Sequence, residues 1–110
     1  MTDAIVISTT CASTEEAERI AAAMIDRRLA ACVSIGAPVV SRYRWEGKVE
    51  TVTEVPLIIK THRDGFGAVA AVIRKLHSYQ LPEIIAVPVV DANPEYLAWI
   101  GANTDCSPLD

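Results

Sequence analysis

Apolar residues fall along the chain in two rhythms, short β-branched runs and stripes at helical spacing, and these predict the elements. Residues 4–9, Ala-Ile-Val-Ile-Ser-Thr, form a short and almost wholly apolar run, as expected of a strand buried on both faces. Ser13-Thr14-Glu15-Glu16 follows as a capping box, with Ser13 placed to accept from the next helical turn and Glu16 to reach back. Ala17, Ile20, Ala21, Met24 and Ile25 then recur at helical spacing, with Glu18, Arg19, Asp26 and Arg27 on other faces. The spacing predicts a helix over about 14–30.

Residues 31–35 read as a short apolar strand, which Gly36-Ala37-Pro38 breaks or bulges. Residues 39–45 partly alternate, Glu46-Gly47-Lys48 supplies a tight turn with glycine where positive φ is needed, and a return strand runs over 49–61. The resulting hairpin, roughly 39–61, is longer than a domain of this size covers with its own helices. Pro56 interrupts regular pairing in the return strand, because proline has no amide to give. After His62-Arg63-Asp64-Gly65, Phe66, Val69, Ala70, Ile73 and Leu76 define a second amphipathic helix, which ends before Pro82. Residues 84–90 form the last strand, and Pro88 favours an edge position for it. Asn93-Pro94-Glu95 reads as an N-cap with proline at the first helical position of a short helix carrying Tyr96, Leu97, Trp99 and Ile100. A polar tail, expected to fray, occupies 104–110.

The order β-α-β-β-α-β plus a C-terminal helix is the split βαβ pattern of an α+β, ferredoxin-like fold, two helices on one face of a four-stranded antiparallel sheet. The other face needs a cover, which points to self-association. A length of 110 residues suits one domain, 1–110, and a 51% hydrophobic fraction with 22% charged residues excludes disorder. No apolar run approaches the roughly 20 residues of a bilayer span, and Asp3 stands where a secretory signal needs positive charge, so no membrane association is expected. A net charge of −4 argues against nucleic acid as partner. Three cysteines, an odd number with no Cys-x-x-Cys pair, fit a reducing cytoplasm.

No nucleophile elbow, phosphate loop or zinc-helix signature is present, so the sequence does not read as an enzyme. Cys32 reads as a small core residue, Cys106 as incidental and His62 as a solvated residue at a strand end. Cys11 is expected in a loop beyond the first strand, where a thiol can react or ligate. His77 is placed either to bond a terminal helix carbonyl or, with a nearby Cys11 or Glu83, to hold copper or another divalent cation weakly. In the hairpin, Tyr43 and Trp45 share one pleat face and Arg42 and Arg44 the other. The aromatic pair suits an interface. Alternatively Arg42, Tyr43, Arg44, Trp45, Lys60 and Tyr79 line a subunit cleft that takes a small anion.

Arg44-Trp45-Glu46-Gly47-Lys48, Leu29-Ala30-Ala31-Cys32-Val33, residues 57–61, His77-Ser78-Tyr79-Gln80-Leu81-Pro82-Glu83-Ile84 and residues 96–100 together resemble the CutA family of divalent-cation-tolerance proteins, over residues 4 to about 102. The resemblance implies a ferredoxin-like homotrimer with interlocking hairpins, concerned with copper and other divalent cations. It also implies copper ligation by a cysteine closing the first strand and two adjacent histidines before a Pro-Tyr pair. Here Thr9 or Thr10 stands at the cysteine position with Cys11 nearby, Leu76 replaces the first histidine, and Ser78 replaces the proline; Ser34 stands where asparagine often follows Cys-Val. A PII-like trimeric sensor or scaffold, binding an anion or a protein partner in its clefts, is the alternative expectation.

Overall fold

The computed structural model describes residues 1–105. Strand β1 (Ala4–Cys11) leads to helix α1 (Thr14–Asp26), then to β2 (Cys32–Ile35), β3 (Val39–Trp45) and β4 (Lys48–His62). A 3-10 turn over 63–65 precedes α2 (Phe66–Leu76), and β5 (Ile85–Pro88) and α3 (Pro94–Ala102) complete the order. The sheet runs β2-β4-β1-β5, with β3 also on β4, and every pairing is antiparallel. This is the expected ferredoxin-like α+β arrangement, with β5 and its Pro88 at an edge.

The capping box forms: Ser13 Oγ accepts the Glu16 N–H at 3.1 Å, while Glu16 Oε2 reaches one residue beyond the cap to the Ala12 N–H at 2.9 Å. Helix α1 stops at Asp26, four residues short of the expectation. Arg28 takes φ 56°, and the Leu29 and Ala30 N–H groups turn back onto the Met24 carbonyl, closing the helix end. Asn93 is the N-cap of α3, but its side chain makes no capping bond. The tail is anchored as far as it is described, since the Asp105 N–H donates to the Arg28 carbonyl at 2.7 Å. Cys106 and the rest of the tail lie outside the described residues.

Alternation divides β1 and β4 between two faces. Ile7, Cys11, Val55, Leu57 and Ile59 pack with Ala17, Ile20, Met24, Val69 and Ile73 of α1 and α2 in the core. Ser8, Thr10, Glu54, Ile58 and Lys60 take the opposite, open face, where α3 covers one end: Lys60 Nζ lies 5.7 Å from the centre of the Tyr96 ring. Cys32 is not a core residue. It is half-buried on β2, at the sheet edge.

Only residues 55–62 of β4 lie against β1; residues 48–54 pair with β3 alone, as a two-stranded ribbon. Its turn, Glu46-Gly47, has φ of 50° and 80°, the doubly positive geometry that matches strand twist. Between Ile35↔Leu57 and Val39↔Glu54 one extra residue enters at 36–38, the expected bulge. The ribbon stretches the molecule to 44 × 27 × 23 Å, with a radius of gyration of 14.5 Å against roughly 13 Å for a compact chain of this length.

Candidate functional site

Helix α1 starts, β1 ends and α2 ends at one place, and the sequence puts a polar residue on each terminus. Cys11, expected in a loop, is the last residue of β1 and fully buried. His77 caps the C-terminus of α2 and is nearly buried, and Glu16 sits buried in the first turn of α1. One ligand atom from each of these three lies within 4.8 Å of the others. The structure thus joins His77 to Cys11. It does not join Glu83, which lies elsewhere with Oε2 accepting from Ser8 Oγ at 3.2 Å. Glu16 takes the third position. Its role in the capping box concealed it from the sequence reading, although that same role fixes it beside the end of β1.

Most donors of this cluster are already engaged. The Tyr79 N–H points at His77 Nδ1 at 3.0 Å and can only donate, so Nδ1 accepts. Nε2 therefore carries the ring proton and donates to the Thr10 carbonyl at 2.7 Å. Glu16 Oε1 accepts the Ser78 N–H at 2.8 Å, and Oε2 accepts that of Ala12. Burial pushes the Glu16 carboxyl up, but the Ala12 and Ser78 donors outweigh it and hold the group below the usual carboxylate range. Burial, followed by the carboxylates of Glu16 and Glu54, pushes the Cys11 thiol up to about 11.

A nucleophile needs the reverse: a thiol pushed down and a base free to take its proton. Cys11 beside His77 offers neither. For a metal ion the set has the right chemistry, because thiolate, imidazole and carboxylate suit copper or zinc, and each Glu16 oxygen keeps a lone pair. The resting geometry is not that of a finished centre. Ligands about 2.0–2.3 Å from one ion stand roughly 3.3–3.8 Å from each other, and His77 must release Tyr79 from Nδ1 or Thr10 from Nε2 before that nitrogen can bind.

The second feature is a cleft of about 580 Å³ on the open face, between the root of the ribbon and residues 78–83. Arg42, Tyr43, Trp45 and Tyr79 line it, together with Thr10, Glu54 and Glu83. Arg44 and Lys60, expected beside them, do not: Arg44 stands opposite Val49 near the ribbon tip, and Lys60 lies over Tyr96. Glu54 was not foreseen. It is 6% exposed and accepts from Thr10 Oγ1 at 3.2 Å. Burial, and then the neighbouring Glu54 carboxylate, raise the Tyr79 phenol well above its ordinary value. The usable signal was register, since Glu54 pairs with Val39 and so shares the face of Tyr43 and Trp45. His62 ends β4 half-buried, its Nδ1 accepting the Asp64 N–H at 3.1 Å.

An antiparallel split βαβ sheet, an overlong hairpin and a polar cluster where three elements meet define a small ferredoxin-like α+β protein. The family model of the CutA1 divalent ion tolerance protein matches residues 5–103. A divalent-cation tolerance protein CutA from Thermus thermophilus is 41% identical over 99 residues, 90% of this chain and 96% of its own length. CutA from Xylella fastidiosa superposes with a TM-score of 0.91 at 43% identity, covering 94% of this chain and all of that one. The periplasmic divalent cation tolerance protein CutA from Archaeoglobus fulgidus gives 0.90 at 40% identity, over 93% of this chain and 99% of its own. The chain spans 61% of a Xenopus laevis CutA homolog and 54% of the Mus musculus protein, both 40% identical to it. The chain belongs to the CutA1 divalent ion tolerance protein family. No helix among the described residues is long and apolar enough to cross a membrane.

Proposed function

We propose that the chain works as a cytoplasmic homotrimer in the response to divalent cations, as a binding protein and not an enzyme, taking Cu²⁺ or a similar ion weakly at Cys11, Glu16 and His77. The observation that carries this is the convergence of sulfur, nitrogen and oxygen ligand atoms within 4.8 Å of one another. Binding is weak for stated reasons. The ion has to displace the thiol proton of a group pushed up to about 11, and it has to take an imidazole nitrogen from the Tyr79 amide or the Thr10 carbonyl. Calorimetric titration of the purified protein with Cu²⁺ tests it. Saturable binding is expected, lost in both Cys11→Ala and His77→Gln variants whose circular dichroism shows them folded. Failure of the wild-type protein to bind, or unchanged affinity in both variants, overturns the reading.

The alternative, an anion held between subunits by Arg42, Arg44 and Lys60, has less support within the protomer, where of these three only Arg42 lines the cleft, beside Glu54 and Glu83.

A further inference from the structure

Glu16 is a buried carboxylate without a cation. It is 3% exposed, and among the described residues no lysine or arginine pairs with it. His77 Nδ1, 3.8 Å from Oε2, accepts the Tyr79 N–H and so bears no proton. Cys11 beside it is a neutral thiol, and the nearly buried Glu54 places a second carboxylate near that thiol. The Ala12 and Ser78 amides hold the two Glu16 oxygens at 2.9 and 2.8 Å, but they bring no formal charge. A negative charge kept from water in this way is costly until a positive charge joins it. Cys11 packs among the core residues of α1 and α2, on the helix side of the sheet, so contacts between copies leave the cluster as it is.

We propose that Glu16 is the specificity-determining residue of this cluster, its fixed charge making the site select a divalent over a monovalent cation. This selectivity rests on the reading of Cys11, Glu16 and His77 as ion ligands. When Cys11 binds an ion it gives its proton to solvent, so thiolate and carboxylate carry two negative charges and the imidazole none. A divalent ion brings that sum to zero. A monovalent ion leaves one negative charge among buried side chains, and the Glu54 carboxylate adds to its cost. With a neutral residue at position 16 the order reverses. Thiolate and a monovalent ion then cancel, whereas a divalent ion leaves a net positive charge. Thiolate and imidazole do not discriminate in this way by themselves, since soft ions of either charge take them. The two amides aim the carboxylate at its neighbours before any ion arrives, and each oxygen keeps a lone pair.

Co²⁺ and Ag⁺ are the probes, one divalent and one monovalent, and neither oxidises a thiol as Cu²⁺ does. The chain has three cysteines, so the titrations use the assembled protein in a Cys32→Ser, Cys106→Ser background, where Cys11 is the responding thiol. Co²⁺ is followed by its thiolate-to-metal charge-transfer band, and Ag⁺ by competition with a soluble thiol. In Glu16→Gln the ratio of Co²⁺ affinity to Ag⁺ affinity is expected to fall roughly tenfold or more. Glu16→Ala lets water reach the amides of the exposed residues Ala12 and Ser78, and the same fall is expected there. That variant decides the matter where Glu16→Gln fails to fold. A carboxylate that merely ties the three element ends together would, once removed, weaken both ions alike. A ratio that ignores Glu16 while the band persists therefore overturns the selectivity alone. A background protein that gives no charge-transfer band overturns the ion reading of the cluster, and the selectivity with it.

Discussion

A single carboxylate, Glu16, ties the end of β1, the first turn of α1 and the segment after α2 into one knot through the Ala12 and Ser78 amides. Its carboxyl is held below the usual range in the folded chain, so the unfolded chain takes up the proton first as the medium is acidified. The stability it contributes is therefore full above the ordinary carboxylate pKa of about 4.3 and is lost as pH falls through the lower folded value. Glu16→Gln puts an amide N–H₂ against one of two backbone N–H groups. We expect a loss on the order of 1–3 kcal/mol at neutral pH and a flatter dependence of stability on pH below about 4.5, measured by urea unfolding across the acid range. An unchanged acid limb in the variant would remove Glu16 from this role. At this scale the sequence was partly legible. Residue types singled out Cys11 and His77, but they are 66 positions apart, and only the meeting of three element ends shows that Glu16 joins them and Glu83 does not.

Elements were more legible than contacts, because periodicity is local while partners are not. The capping box located α1, the two-residue turn located the hairpin, and the proline in β5 assigned it to an edge. What escaped was the end of α1, set by the left-handed Arg28, a conformation no side-chain pattern announces. Pro56 was an anomaly in sequence and has a simple resolution in register. In an antiparallel ladder the N–H and C=O of one residue face the same neighbour, and the Gly36 N–H donates to the Pro56 carbonyl at 2.9 Å. The missing amide hydrogen thus falls where β2 gives way to the bulge, and no regular rung is lost. Gly36 is fitted to that ring: a Cβ there would lie 2.8 Å from Pro56 Cγ. Gly36→Ala is expected to cost about 1–3 kcal/mol, and Pro56→Ala, by removing Cγ, to recover part of that cost in the double variant. Additive losses in a thermal-unfolding cycle would show that the two residues do not oppose one another.

At the scale of the whole molecule the decisive feature is the ribbon formed by β3 and residues 48–54 of β4. A two-stranded ribbon is marginal alone in water, and this one has both outer edges unpaired among the described residues of the protomer. It also exposes apolar side chains on both faces, Val39, Tyr43 and Trp45 on one and Val40 and Val49 on the other, with Val40 71% exposed, while Ile85 and Val87 lie exposed on the edge strand β5. A rigid, straight arm of this kind is stable when the free edges and the exposed apolar side chains are covered together. A heterologous contact, ribbon of one copy against edge of the next, does so for every copy only where the ring closes. Light scattering is accordingly expected to give three times the chain mass across the accessible concentration range. Val40→Asp places a charge on the ribbon face that carries Val40 and Val49 without touching the core, the Cys11 cluster or the Glu54 cleft, so the variant is expected to dissociate on dilution while each protomer keeps its secondary structure. A wild-type protein that scatters as one chain at every concentration would mean that the ribbon stands unaided, and neither the exposed apolar side chains nor the open edges would then have a reason to exist in this fold.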